Sequence, residues 1–541
     1  MAPALLAAFA LVCLGFPSYD WYFDGLTFAM AAEGVAAGGN PAWLFHPHHL
    51  LYTPLAFAAY RATGVLGLDV RAWLVMQWLS TAFAVGGLWL FHRLLVRLAV
   101  PPYPRLAALL LLATSFGWWR YATQGDTTLP EAFLLLALLG AALRPGAHPA
   151  VVGLLQAAAI LVHESAVVFL PAAGWALWAT RAPAGRGHGG RDRGGRARAL
   201  AVFLGVAFGT TAAAYLAVAG LVLGIADPRG FLTWLSGYFG ADARTGYAVD
   251  YAGWAPANLA ASARAWTEAF TGTWPGPGGI ASWCWHAAAA AAAVSILALA
   301  VLGILRGFDR RAPRDLRAAV EVLLVWLGAH AAFFTWWKPG HTRFWVLALP
   351  GWVLLAALGA GATKAGRRRP AAGRGVSASA ETPKAAATIS WIVASSLVLV
   401  VGLGPFRHET SPACNRFLPV ADAIAAATPA GATIVISGIG DWNALKAYLP
   451  YVARRRMLIL DWQFADKRVP PDRALAALRG RLRDLAGPGT LYWLSEAADP
   501  GLDAHYRARH GIAGAALRAW LAARHPRLIA SPAPDLRLWR P

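Results

Sequence analysis

Cysteine is scarce: three residues, Cys13, Cys284 and Cys414, in a chain of 541. They are far apart and lack metal-ligand spacing, so neither a disulfide framework nor a cysteine zinc site is indicated. Charge is also scarce. Only 14% of residues are charged, against roughly 25% in soluble domains. A basic n-region is missing ahead of the opening apolar run, which therefore reads as a retained first helix rather than a cleaved signal. No convincing internal repeat is present. The Gly438–Gly440 turn lacks a full dinucleotide fingerprint.

What fills the chain is apolar. Hydrophobic residues make up 58%, with a mean hydropathy of +0.47. They come in runs long enough to cross a bilayer as helices. The pattern predicts about eleven transmembrane helices, near 2–17, 72–91, 105–118, 130–143, 150–162, 165–180, 199–224, 284–305, 318–337, 344–362 and 387–404. The fold class expected is a polytopic α-helical membrane protein with a C-terminal α/β domain.

The net charge of +21 suggests nucleic acid until the basic residues are placed. Alternate loops between the spans hold 21 against 8 of the Lys and Arg residues. The richer set includes Arg93, Arg97, Arg105, Arg144, Arg181, Arg306 and Arg317, and the bias makes those loops cytoplasmic. The N-terminus is then cytoplasmic. The 18–70 loop, the 225–283 loop and everything after residue 405 are extracytoplasmic, and no nucleic-acid partner is needed. Segments 185–198 and 361–387, rich in Gly, Arg and Ser, read as disordered cytoplasmic loops.

The outer loops are acidic and aromatic. Segment 18–55 carries Asp20, Asp24, Glu33, His46, His48 and His49, a dense ionisable group beside a membrane span. Residues 19–37 read as an interfacial helix with Asp20 and Asp24 four apart on one face. Residues 50–66 read as a second juxtamembrane helix. Asp126 sits before Pro130, and Thr127 or Thr128 is expected to cap the helix that follows. His163-Glu164-Ser165 forms a tight turn. Aromatic residues of the 225–283 loop, among them Trp234, Tyr238, Phe239, Tyr247, Tyr251, Trp254, Trp266 and Trp274, suit sugar rings or an interfacial lid.

A carboxylate that is ionised, close and partly desolvated can act as a general base toward a hydroxyl. Asp24 is the first candidate and Asp126 the second. Asp20, Glu131, His163 and Glu164 are substrate-binding candidates. Each has a structural alternative: a cap, a turn, or the helix dipole. His46, His48 and His49 either ligate a divalent metal, contact a phosphate, or lie at the interface. Lys338, His341 and Arg343 either grip a phosphate or snorkel.

Beyond residue 405 the composition becomes that of a soluble domain. Strands are expected near 432–438, 457–462 and 490–496 and at 536–539. Helices are expected near 443–453, 471–486 and 513–524. This predicts an α/β domain over 405–541, with the membrane domain over 1–404.

These motifs resemble the GT-C superfamily of polytopic glycosyltransferases, and more closely the branch of protein O-mannosyltransferases and lipid A aminoarabinose transferases. The run Asp24-Gly25-Leu26-Thr27-Phe28-Ala29 matches that branch's first-loop Asp-Glu motif, with Gly25 in place of the second acid. Tyr52-Thr53-Pro54-Leu55 matches its Pro-Pro-Leu segment without the preceding Lys, a gap that His48 or His49 can fill. Asp126 matches the second-loop Asp. Arg343-Phe344 through Pro350 matches a late Arg-aromatic motif. The resemblance spans roughly residues 1–360. It implies a polyprenyl-phosphate-linked sugar donor, inverting transfer, an extracytoplasmic site and a bacterial inner-membrane location. The acceptor is left open as lipid, glycan or protein, and no cofactor is specified beyond a possible divalent metal. Two other classes stay in view: a lipid or sugar transporter or flippase, and a non-catalytic envelope assembly protein.

Overall fold

In a computed structural model the chain is described over residues 1–181, 193–235, 254–274, 276, 278–361, 382–464, 471–485, 490–524 and 526–540. Residues 185–192 and 362–381 of the two expected loops, and Tyr238, Phe239, Tyr247 and Tyr251, lie outside this set. The described ends of those loops are helical. Residues 193–198 open the helix Arg193–Ala217, and 382–387 open the helix Thr382–Val401. The chain divides into two compact units. The first comprises Met1–Ser18, Val35–Ala226 and Tyr251–Ser411; the second comprises Tyr19–Gly34, Asp227–Asp250 and Pro412–Pro541.

The first unit is a bundle of apolar helices. Among the described residues, six helices are long and apolar enough to cross a membrane: Ala72–Arg97, Gly194–Val222, Ile280–Gly307, Arg314–Trp337, Thr342–Ala360 and Thr388–Glu409. Other predicted spans are shorter helices, Ala2–Gly15, Pro102–Thr114, Thr128–Ala142, Pro149–Val162 and Leu170–Thr180. A helix rises 1.5 Å per residue, so about 15 residues reach only about 22 Å of the roughly 30 Å hydrocarbon layer. Length alone therefore supports six crossings and does not establish eleven. Proline sets several starts, occupying the first turns at Pro102, Pro149 and Pro350, where its missing N–H costs nothing.

Small residues let two of these helices touch. Gly303 faces the Leu355 carbonyl and Gly359 faces the Leu299 carbonyl, with no room for a Cβ at either. Such close backbone approach is how membrane helices gain packing without a hydrophobic drive. A core of Leu, Ala, Phe and Trp, including Trp118, Phe169 and Trp326, fills the bundle.

Polar residues on one helix face set the loop that carries Asp126. On Ala72–Arg97, Gln77, Ser80 and Thr81 are three and four residues apart, hence on one face. Gln77 Nε2 donates to the Thr123 carbonyl (2.7 Å), Thr81 Oγ1 to Ala122 (2.8 Å) and Ser80 Oγ to Asp126 (3.5 Å). All three are buried, so these bonds satisfy the side chains and pin the loop together. The His46–His49 segment is held in the same way. Leu51 N–H donates to the Leu161 carbonyl at 2.8 Å, and the Tyr215 hydroxyl donates to the Pro47 carbonyl.

The second unit contains a five-stranded sheet: β1 Thr433–Ile436, β2 Arg456–Ile459, β3 Leu491–Leu494, β4 Arg527–Ala533 and β5 Leu536–Arg540. The order is β2-β1-β3-β5-β4. The first three strands are parallel, and β5 runs antiparallel to β3 and β4. Parallel pairing requires covering crossovers. The helix Leu445–Tyr451 lies between β1 and β2, and Pro471–Leu485 between β2 and β3. Every residue of β1 and β3 is buried, as in a sheet covered on both faces.

The same unit takes in the helix Phe23–Ala36 as far as Gly34. Trp21 stacks on Tyr448 at 6.2 Å between ring centroids. The Tyr448 hydroxyl donates to the Trp21 carbonyl at 3.0 Å. Asn415 Nδ2 donates to the Tyr19 carbonyl at 2.6 Å, the Tyr451 hydroxyl donates to Glu33 at 3.0 Å, and the Lys446 ammonium sits over the Phe23 ring. The helix starts at Phe23, not at residue 19. Asp20 therefore precedes it and does not share a helical face with Asp24, which corrects the expectation above.

Candidate active site

Within the first unit, residues from five elements converge. Asp126 precedes the helix Thr128–Ala142, and Glu131 lies in its first turn. His163 and Glu164 open the 3-10 turn Glu164–Phe169. His46, His48 and His49 form a second 3-10 turn, Pro47–His49, and its entry. Lys338 ends the helix Arg314–Trp337, and His341 and Arg343 open Thr342–Val346.

Thr127 stands at the N-cap of the helix with no capping bond from its side chain, and Asp126, one residue earlier, takes the helix's first N–H instead. Its Oδ1 accepts the Thr128 backbone N–H at 2.8 Å and the Thr128 hydroxyl at 2.6 Å. The Thr127 hydroxyl also points to it, at 3.4 Å. Both hydroxyls are spent on the carboxylate, so neither caps. The other oxygen, Oδ2, is buried with no hydrogen-bond partner among the described residues. Arg343 Nη1 stands 3.8 Å from it. A buried carboxylate oxygen left open beside a cation is ready to accept from a ligand.

Arg343, only 7% exposed, ties Asp126 to His163. Its Nη2 lies 3.0 Å from His163 Nε2 and 3.3 Å from Thr127 Oγ1. A guanidinium can only donate, so Nε2 must hold its lone pair. The neutral ring then carries its proton on Nδ1. Ser165 Oγ is 2.6 Å from Nδ1 and 2.7 Å from Glu131 Oε1. The proton order follows: Arg343 donates to His163, His163 to Ser165 Oγ, and Ser165 to Glu131. In this tautomer the Ser165 backbone N–H, 3.1 Å from Nδ1, is a close contact and not a bond. Burial, then the positive Arg343, holds His163 well below the ordinary histidine range, which keeps this order at neutral pH.

The other histidine rings cluster beside it. His49 and His163 have ring centroids 4.7 Å apart, and His46 lies 5.1 Å from His48 and 5.5 Å from His49. Burial lowers His46 to about 4 and His48 to about 3. It also lowers His49, with help from its histidine neighbours and Arg343. His341 falls to about 4, through burial and then Lys338 and Arg343. These imidazoles are neutral at physiological pH and can donate N–H groups without adding charge. His48 Nδ1 lies 3.1 Å from Glu164 Oε1. Burial opposes charge on both partners, lifting Glu164 to about 7. The contact is therefore a hydrogen bond of a neutral imidazole, not an ion pair.

The structure thus brings together Asp126, Glu131, His46, His48, His49, His163, Glu164, Lys338, His341 and Arg343. Lys338 joins through its field on His48, His163, Glu164 and His341. Asp20 and Asp24 lie in the other unit. The sequence offers Thr127 and Thr128 only as helix caps and not as site residues, because single hydroxyl residues in apolar runs carry no distinctive signal. Ser165 was flagged only as part of the turn.

The helical bundle of the first unit and the five-stranded sheet of the second define the fold. Two solved structures share it. ArnT from Cupriavidus metallidurans bound to undecaprenyl phosphate aligns with a TM-score of 0.56 at 12% identity, over 99% of this chain and 97% of that one. ArnT from the same organism in the apo state aligns with a TM-score of 0.55 at 12% identity, over 99% and 96%. No protein-family model and no curated protein sequence matches the chain.

Proposed function

We propose that the chain is a membrane glycosyltransferase that moves a hexosyl or pentosyl group from a polyprenyl-phosphate-linked donor to an extracytoplasmic acceptor, with inversion. The acceptor is a lipid, a glycan or a protein. The observation that carries this reading is the buried Arg343–His163–Asp126 cluster, set in a fold shared with a protein solved with undecaprenyl phosphate bound.

In this reading Arg343 and Lys338 bind the donor phosphate, and neutral His48 and His49 supply N–H donors to it. Charge grows on the phosphate as the glycosidic C–O bond breaks, and fixed donors in a dry site stabilise that charge most. His163, Ser165 and Glu131 keep Arg343 oriented. Glu164 and His341 frame the same surface. Asp126 Oδ2 accepts from a sugar hydroxyl. Asp24 takes the proton of the acceptor hydroxyl as that oxygen attacks the anomeric carbon, and Asp20 helps bind the acceptor. The proposal includes eleven crossings, a cytoplasmic N-terminus, a membrane domain over 1–404, and an extracytoplasmic α/β domain over 405–541 in a bacterial inner membrane.

The test is sugar transfer by the purified protein from polyprenyl-phosphate sugars, with Asp24→Asn and Arg343→Ala compared with the native chain. Both variants are expected to lose transfer while retaining the helical circular dichroism signal. Transfer near the native rate in Asp24→Asn overturns the role given to that residue. The absence of transfer with every donor tried on the native protein overturns the function.

A further inference from the structure

The sheet of the second unit ends in a cluster that the transferase reading does not use. Asp461 follows β2 by two residues, at the carboxyl edge of the parallel strands, where open α/β sheets bind ligands. His505 and His510 come from the helix Asp503–His510. Asp461 Oδ1 is 2.8 Å from His510 Nε2 and 3.4 Å from His505 Nε2. One ligand atom from each residue falls within 4.8 Å of the others, the only such His/Cys/Asp/Glu group among the described residues. Asp461 and His510 are buried, while the His505 side chain is 33% exposed and leaves a way in.

The hydrogen bonding here does not close. His505 Nε2 lies 3.4 Å from Asp461 Oδ1, which can only accept when ionised, and 3.4 Å from Arg509 Nη1, which can only donate. One neutral ring nitrogen cannot serve both. A cation at the centre takes the Nε2 lone pair and the Asp461 carboxylate oxygen together, and leaves the Arg509 guanidinium to the other carboxylate oxygen. Ligands 2.0–2.1 Å from a tetrahedral zinc lie about 3.3 Å from each other; the His505 pair stands at 3.4 Å, and the His510 pair at 2.8 Å opens by about 0.5 Å to admit the ion. Arg509 Nη2, 3.8 Å from Asp461 Oδ2, would hold the carboxylate oxygen that the metal does not use, an outer-shell role.

We propose that Asp461, His505 and His510 bind one divalent cation of the zinc class, with a fourth position open to water or a ligand. The two-nitrogen, one-oxygen donor set favours zinc or cobalt over magnesium or calcium. This site is independent of the glycosyltransferase assignment.

The experiment uses the full chain in detergent, stripped with chelator and titrated with Co²⁺ and Zn²⁺. The native protein is expected to take up one Co²⁺ with the absorption bands of a tetrahedral nitrogen–oxygen site, and Zn²⁺ to displace it. His505→Ala, at the partly exposed ligand, is expected to keep its circular dichroism spectrum and lose about tenfold or more in affinity. Asp461→Asn is expected to lose the bands, and His48→Ala to keep them. Binding as tight in His505→Ala and Asp461→Asn as in the native chain, loss of the bands in His48→Ala, or no Co²⁺ uptake by the native chain, overturns the proposal.

Discussion

Arg343 sets the proton order of the residues beside it. Because it only donates, it decides the His163 tautomer, and through it the direction of the Ser165–Glu131 bond. A lysine keeps the charge but cannot direct one nitrogen to Thr127 and His163 while a second faces Asp126. Arg343→Lys is expected to lower kcat/KM for lipid-linked sugar transfer by about 10–100-fold, the equivalent of about 1.5–3 kcal/mol for a hydrogen bond to a charged group, measured against the native enzyme. Glu164 makes a second prediction. Burial raises it from 4.5 to about 7, so the folded chain holds this proton more tightly than the unfolded chain. The stability it contributes is complete below about pH 4.5 and is lost as pH rises through about 7. Glu164→Gln has no such loss. Its Tm relative to the native protein is expected to climb between pH 4.5 and 7, and a flat difference counts against the raised value. Both residues were legible as candidates, since charge in an apolar run is costly and stands out. The tautomer was not legible, because it depends on partners 180 positions apart. Nor was the placement of Asp20. Four-residue spacing implies a shared face only if both residues lie in the helix, and this helix begins after Asp20.

Elements were read well where their apolar runs were long. The segments at 72–97, 280–307 and 314–337 are helices, and all four expected strands exist, although residues 460–462 of the second belong to the helix Leu460–Phe464. Several elements carry no clear sequence signal, among them the helices Pro256–Thr271 and Phe417–Ala427. Strand β4, RLIASPA, has a weak alternation and a proline near its end. The helix Asp503–His510, DAHYRARH, is too polar to show an apolar stripe, so the histidines it carries were not placed beside Asp461. The contact of Ile280–Gly307 with Leu349–Ala360 belongs to this scale. At Gly303 and Gly359 a new Cβ would strike backbone carbonyls, which cannot rotate aside as a side chain can. Gly359→Ala is expected to destabilise the bundle by about 1–3 kcal/mol, read as a lower thermal midpoint in detergent. Gly328→Ala, with open space around the added carbon, is the control and is expected to leave that midpoint unchanged.

For the molecule as a whole, the second unit is discontinuous in sequence. The helix bearing Asp24 packs within the unit that carries the sheet, through Trp21, Phe23 and Glu33. Sequence could not show this, since partners more than 400 residues apart leave no local pattern. A chain truncated after Ser411 is expected to lose amide hydrogen-exchange protection across Phe23–Ala36, with the helices Ala72–Arg97 and Arg314–Trp337 still protected. Full protection of Phe23–Ala36 in the truncated chain would show that the helix needs no partner from the C-terminal segment.

That discontinuity sets a timetable for biogenesis. The Trp21 carbonyl and the Tyr448 hydroxyl are 427 residues apart. At about 5–20 residues per second, the ribosome takes roughly 20–85 s to make the second after the first. Throughout that interval the segment bearing Asp24 has left the ribosome without its partner. Trp21, Tyr22 and Phe23 must be shielded meanwhile, by lipid or a chaperone. The residue assigned to acceptor activation therefore belongs to a part of the protein completed only when synthesis is nearly over.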